Sequence, residues 1–259
     1  MKLYSMKSFI LSFLIFCLSS ILLSQTRTIH VFVVLCDNEF QGIAPVPERI
    51  GNGKDPIHNL YWGAGYGVKS YFKNKTKDWI LVKDLESDNP FILDRVLFKH
   101  ANKDVYLLAD AYDGEKIKMC IEDFLEASNG QNPLVINVDS ITLNFGGGAQ
   151  LQAFIGHDGL MDFEVNIKYN EHVSSVKDVI VLGCYSKEYF SSNIKKSQAN
   201  PILWTTHLMA PEAYSLKSAI DGWMKNETGN QINERAAQTY NHYQHCGING
   251  ARNLFTSGF

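Results

Sequence analysis

The stretch 151–190 decides how this chain reads: LQAFIGHDGLMDF (151–163), a polar spacer, then DVIVLGCYSKEYF (178–190). Each half is a short apolar run that stops at a reactive side chain followed by turn-forming residues. His157 precedes Asp158 and Gly159, and Cys184 precedes Tyr185 and Ser186. Runs of this length, rich in Ile, Val, Leu and Phe, predict buried strands. In a parallel α/β sheet, ligands bind and reactions occur at the carboxyl ends of strands. His157 and Cys184 are therefore expected as a pair on one sheet edge.

The sequence on either side supplies the rest of such a sheet. TIHVFVVL (28–35) is an almost unbroken β-branched run, as a central parallel strand requires, and it ends in Cys36-Asp37-Asn38-Glu39. Residues 41–56 carry Pro45, Pro47 and Pro56 with Gly42, Gly51 and Gly53, which predicts a long loop. NLYWGAGYGVKSYF (59–72) reads as a loop entering a helix; its glycines lack the spacing of a phosphate loop. WILV (79–82), VYLLADA (105–111), LVINV (134–138) and PILWTTHL (201–208) predict further strands, while 91–98 suits strand or helix. Asp113 can cap a helix over 114–127, with Ile117, Cys120, Ile121, Phe124 and Leu125 on one face. Ala210-Pro211-Glu212 opens another helix running to about Lys225, residues 226–230 form a loop, and 234–246 form a last helix. Strands alternating with helices predict a three-layer α/β sandwich with a mostly parallel sheet. No repeat or linker divides residues 25–259, so one domain is expected.

Residues 1–24 read as an export signal: Lys2 and Lys7, an apolar run over 8–23, and Ser24 at a cleavage point. The protein is thus expected outside the cytoplasm, periplasmic or secreted, with no membrane attachment once the signal is removed. A formal charge of −3 with no basic run excludes a nucleic-acid partner. The four remaining cysteines, Cys36, Cys120, Cys184 and Cys246, are too sparse for a disulfide scaffold, though one bridge could form in an oxidising compartment.

An apolar strand ending in His, then an apolar strand ending in Gly-Cys with Ser two residues on, resembles the caspase-like cysteine peptidases (caspases, metacaspases, legumains, clostripains and gingipains). The matching residues are Phe154-Ile155-Gly156-His157 and Val181-Leu182-Gly183-Cys184-Tyr185-Ser186. The resemblance implies a caspase-like fold, a Cys184 nucleophile that attacks a peptide carbonyl, and His157 as the general acid/base, with no organic cofactor. It further implies an oxyanion site made of backbone N–H groups from Cys184 and from Asp158 or Gly159. The family has Gly directly after the His; here Asp158 intervenes. The spacer of 27 residues from His157 to Cys184 leaves little room for a processing segment.

Asp37 at the mouth of the first strand could select Arg or Lys before the cleaved bond, as clostripains and gingipains do, with Glu39 nearby. Trp204, Thr205 and His207 are expected to wall a substrate pocket. His242, His245 and Cys246 have a spacing that could hold zinc, and Asp162 with Glu164 could contact calcium, but neither set is complete and no metal site is expected. The expected partner is a polypeptide. Two other readings stay open: a catalytically silent caspase-like domain that binds a protein or peptide, and a doubly wound protein whose Gly146-Gly147-Gly148 turn approaches a small anion.

Overall fold

A computed structural model of the protein describes residues 26–259; the expected export signal lies outside them. The first strand, β1 (Arg27–Val34), lies near the middle of the sheet, and seven of its eight residues are buried. Its alternation feeds two cores. Ile29, Val31 and Val33 enter one, and Phe32 and Val34 enter the other. Each fully buried Val or Ile stabilises the fold by roughly 1.5–3 kcal/mol.

The elements that follow are α1 (Val68–Asn74), β2 (Trp79–Leu85), β3 (Ile92–His100), β4 (Val105–Tyr112) and α2 (Ile117–Ser128). Then come β5 (Pro133–Val138), β6 (Ile141–Gly146), β7 (Leu151–Ile155), β8 (Asp178–Leu182), α3 (Ser186–Ser197) and β9 (Asn200–Thr205). The chain closes with α4 (Ala213–Met224), α5 (Gly229–Gln244), α6 (Ile248–Leu254) and β10 (Phe255–Thr256).

Eight strands form the central sheet in the order β10-β9-β8-β7-β1-β4-β3-β2. β4, β1, β7, β8 and β9 run parallel, and antiparallel strands extend both edges. Helices α1, α4 and α5 cover one face through Phe72, Leu216, Trp223 and Tyr240. Helices α2 and α3 cover the other through Phe124 and Phe190, which pack on Phe154 of β7. The expected three-layer α/β architecture with a mostly parallel sheet is therefore observed.

Three elements differ from expectation. LVINV does not join the central sheet: it alternates between exposed and half-buried and pairs with β6 as a separate hairpin, turning at Asp139 with φ +52°. Leu143 and Phe145 of that hairpin pack on Leu97, Tyr106 and Leu108. The ambiguous run 91–98 is an antiparallel strand beside β4. Helix α5 starts five residues before the expected Glu234, because Thr228 and Gln231 form a reciprocal capping box.

A charged network lies beneath the hairpin. Asp110, fully buried, accepts two hydrogen bonds from Arg95 (both 2.6 Å) and one from His30 Nε2 (3.0 Å). His30 Nδ1 in turn accepts the Gly146 N–H at 3.0 Å, which makes the ring a neutral Nε2–H tautomer and ties β6 to β1. Burial pushes the Asp110 pKa up, but the Arg95 and His30 hydrogen bonds outweigh it and hold the carboxyl below its ordinary value.

Candidate active site

β7 and β8 are adjacent and parallel, with Ile155 opposite Leu182. His157 and Cys184 each follow two residues after that last pair, so the sheet itself brings them to one edge. Gly156 makes the turn out of β7 at φ +150°, where a side-chain Cβ would sit 2.4 Å from Val34 Cγ1. Only glycine fits there. On the other strand, Tyr185 holds a left-handed conformation (φ +51°) directly after Cys184 and leads into α3. A bulky residue in that region marks a turn held by its surroundings. Three groups hold it: Tyr185 N–H donates to the His207 carbonyl (3.0 Å), Ser186 Oγ to the Val181 carbonyl (2.8 Å), and Thr205 Oγ1 to the Gly183 carbonyl.

His157 and Cys184 line one cavity of about 460 Å³. His157, 7% exposed, is hydrogen-bonded through Nε2 to Asp162 Oδ2 at 2.6 Å. With the proton on Nε2, the lone pair of Nδ1 is left to accept a proton. Asp162 is thus a third group that orients the imidazole, the arrangement a nucleophile–base pair needs. Comparison of the chain with protein-family models, curated proteins and solved structures finds no match in any of the three.

Cys184 is half-buried and unbridged; Cys36, Cys120 and Cys246 are also free thiols. Its Sγ accepts the Met209 N–H at 3.5 Å. Burial pushes its pKa up, the Met209 N–H partly opposes this, and Asp158 adds to the rise. The resting group is therefore a thiol, and a base must take its proton as it attacks.

Asp158 is fully buried. Its Oδ1 accepts the Leu160 N–H at 3.0 Å and caps a short 3₁₀ turn, Gly159–Met161, while Oδ2 is buried without a partner. Burial raises its pKa to about 7. Of the two alternatives beside Cys184 at the expected oxyanion site, the Gly159 N–H is engaged by the His157 carbonyl (3.1 Å). The amides of Asp158 and Cys184 donate to no protein acceptor among the described residues.

The expected pocket walls lie elsewhere. Trp204 is buried among Phe190, Phe154 and their neighbours. Thr205 is buried and braces the Cys184 turn. His207 is exposed, with Nδ1 2.8 Å from Thr206 Oγ1, and holds Tyr185 through its carbonyl. Asp37 folds back onto its own loop, accepting the N–H groups of Glu39 (2.8 Å) and Phe40 (3.1 Å). None of the four lines the dyad's cavity. The walls are instead Ile43, Ala44 and Val46 from the loop after β1, and Leu208, Met209 and Pro211 from the segment after β9.

Two polar side chains join the dyad in that cavity: Glu212 and Gln244. Glu212 accepts hydrogen bonds from Tyr214 Oη (2.8 Å) and Gln244 Nε2 (3.2 Å), both neutral. Burial raises its pKa. No cation pairs with it among the described residues. The sequence marked Asp162 only as a possible calcium contact and Glu212 only as part of a helix start; their placement beside His157 and in the cavity depends on turns formed on folding. No set of three or more His, Cys, Asp and Glu side chains converges among the described residues; His245, for instance, takes a left-handed conformation at the end of α5.

Proposed function

We propose that this chain is a caspase-like cysteine endopeptidase that acts outside the cytoplasm on polypeptides. The observation that carries this reading is the placement of His157 and Cys184 at the ends of adjacent parallel strands, lining one cavity. His157 Nδ1 takes the proton of Cys184 as the sulfur attacks the peptide carbonyl, then returns it to the leaving amine. The free amides of Asp158 and Cys184 receive the oxygen of the tetrahedral intermediate; losing such a donor typically costs about 3 kcal/mol. Asp162 keeps the imidazole in the productive tautomer. Glu212, at the cavity wall with neutral hydrogen-bond donors and no paired cation among the described residues, selects Lys or Arg before the cleaved bond. The apolar walls suit the methylene stem of such a side chain.

A second reading is favoured by the thiol that burial keeps protonated and by the buried Asp158: a silent domain that binds a peptide in this cavity without cleaving it. Thiol chemistry tests both. The mature protein is treated with limiting iodoacetamide near neutral pH, beside a His157→Ala variant, and the labelled cysteines are mapped by mass spectrometry. Exposed Cys246 supplies the reference for a solvent-accessible thiol. The dyad requires Cys184 to label faster than Cys246 despite its burial, and His157→Ala to slow it. Cys184 labelling no faster than Cys246, and indifferent to His157, overturns the peptidase. In the silent domain, peptide binding survives Cys184→Ala and no cleavage is detected in the native protein. Glu212→Gln should erase any preference for Lys or Arg while leaving Cys184 labelling intact.

A further inference from the structure

The parallel strands end in the dyad, but they begin around a second cavity, of about 580 Å³, at the opposite edge of the sheet. Its lining is mostly polar and comes from residues that precede or open strands: Thr28 at β1, Gln150 before β7, and Ser174 and Lys177 before β8. Gly130, Gly147 and Gly148 complete it from the turns around the β5–β6 hairpin. β8 rises about 3.3 Å per residue, so Lys177 and Cys184 are roughly 20 Å apart.

Lys177 is the exceptional group. It is 6% exposed, and its Nζ donates to one neutral acceptor, Ser175 Oγ, at 3.0 Å. No carboxylate pairs with it among the described residues. The adjacent acid in sequence, Asp178, accepts from Asn200 Nδ2 and Trp223 Nε1, and Asp104 accepts from the cavity residue Thr26. Burial lowers the Lys177 pKa, with nothing to offset it. An ammonium taken out of water without a counter-charge is costly, so such a group asks for an anion.

The other free polar groups here can donate. Gln150 Oε1 accepts the Thr28 N–H at 2.6 Å, which leaves its NH₂ to donate into the cavity. Ser174 and Asn144 add a hydroxyl and an amide. The glycines contribute space rather than hydrogen bonds: the Gly147 and Gly148 N–H groups are spent on the carbonyls of Asn132 and Phe145.

We propose that this cavity binds an oxyanion, the phosphate or carboxylate group of a polar small molecule, with Lys177 as counter-charge and Gln150, Ser174 and Asn144 as neutral donors. The site is independent of the dyad and does not rest on the peptidase reading. Its volume exceeds that of a bare phosphate, so the rest of the molecule fills the polar remainder.

The test titrates the mature protein with inorganic phosphate and, separately, with acetate. Ionic strength is held constant with sodium chloride, and the backbone amides of Gly130, Gly147 and Ser174 are followed by NMR. Saturable shifts at these amides are expected with at least one of the two anions, and the stronger arm names the oxyanion. Lys177→Met should weaken that binding about tenfold or more, while Lys177→Arg retains it. Cys184 alkylation at the native rate reports that each variant is folded. Failure of both anions to saturate in the native protein overturns the proposal. So does undiminished binding by a folded Lys177→Met variant.

Discussion

Asp158 occupies the position where the resemblance asks for glycine, and its surroundings turn that departure into a pH effect. The buried carboxyl is raised from an ordinary 3.8 to about 7, so the folded chain holds this proton more tightly than the unfolded chain. Stability from this group is full below pH 4, is lost as pH rises from there to about 7, and changes no further above that. The difference corresponds to about 4 kcal/mol. Asp158→Asn keeps the Oδ1 cap on the Leu160 N–H and removes the ionisation. The variant should therefore be more stable than the native protein above pH 7, and the gap should shrink towards pH 4, as denaturant titrations at several pH values would read. It should also lower the Cys184 pKa, since Asp158 helps to raise it. The identity of Asp158 was legible in the sequence. Its direction was not, because only the folded turn shows the side chain capping the Leu160 N–H. Asp37 is the converse case: an acid at a strand mouth read as a substrate group, yet folded back onto Glu39 and Phe40.

Among the elements, the long uniform runs were the readable ones. β1, β4, β7, β8 and β9 are apolar along their length because both faces are covered, and such runs announce themselves. The hairpin β5–β6 misled because alternating LVINV satisfies a strand in any sheet, and pairing depends on the Asp139 turn. α6 and β10 are too short for periodicity to register, and the early start of α5 lay in a Thr228/Gln231 capping box read as loop. The element-level prediction concerns β3 and β4. Asp110→Ala leaves the buried Arg95 guanidinium and the His30 N–H without their acceptor. Breaking such a pair costs about 3–5 kcal/mol, measurable as a lower denaturant midpoint with unchanged slope. The sign with pH is opposite to that of Asp158: a depressed carboxyl contributes stability above its ordinary value and loses it as pH falls through the folded one.

At the scale of the whole molecule, one sheet presents two edges, with His157 and Cys184 beyond the carboxyl ends of β7 and β8 and a polar cavity at the amino ends. The spacing of His157 and Cys184 is fixed by the Ile155–Leu182 pairing, a repeat of about 4.8 Å between strands, and not by the connection that joins them. That connection, from Phe163 to Lys177, contains no helix or strand; Val165, Ile167 and Tyr169 anchor it to the α2–α3 core. Covalent continuity through it is therefore separable from geometry. Chains ending and restarting near Glu171–Ser174, where the backbone is exposed, should reassemble when co-expressed as two fragments. The complex should elute as one species and return the Cys184 alkylation rate of the intact protein. The pair is a property of the ladder, and the molecule could be supplied in two pieces without losing it.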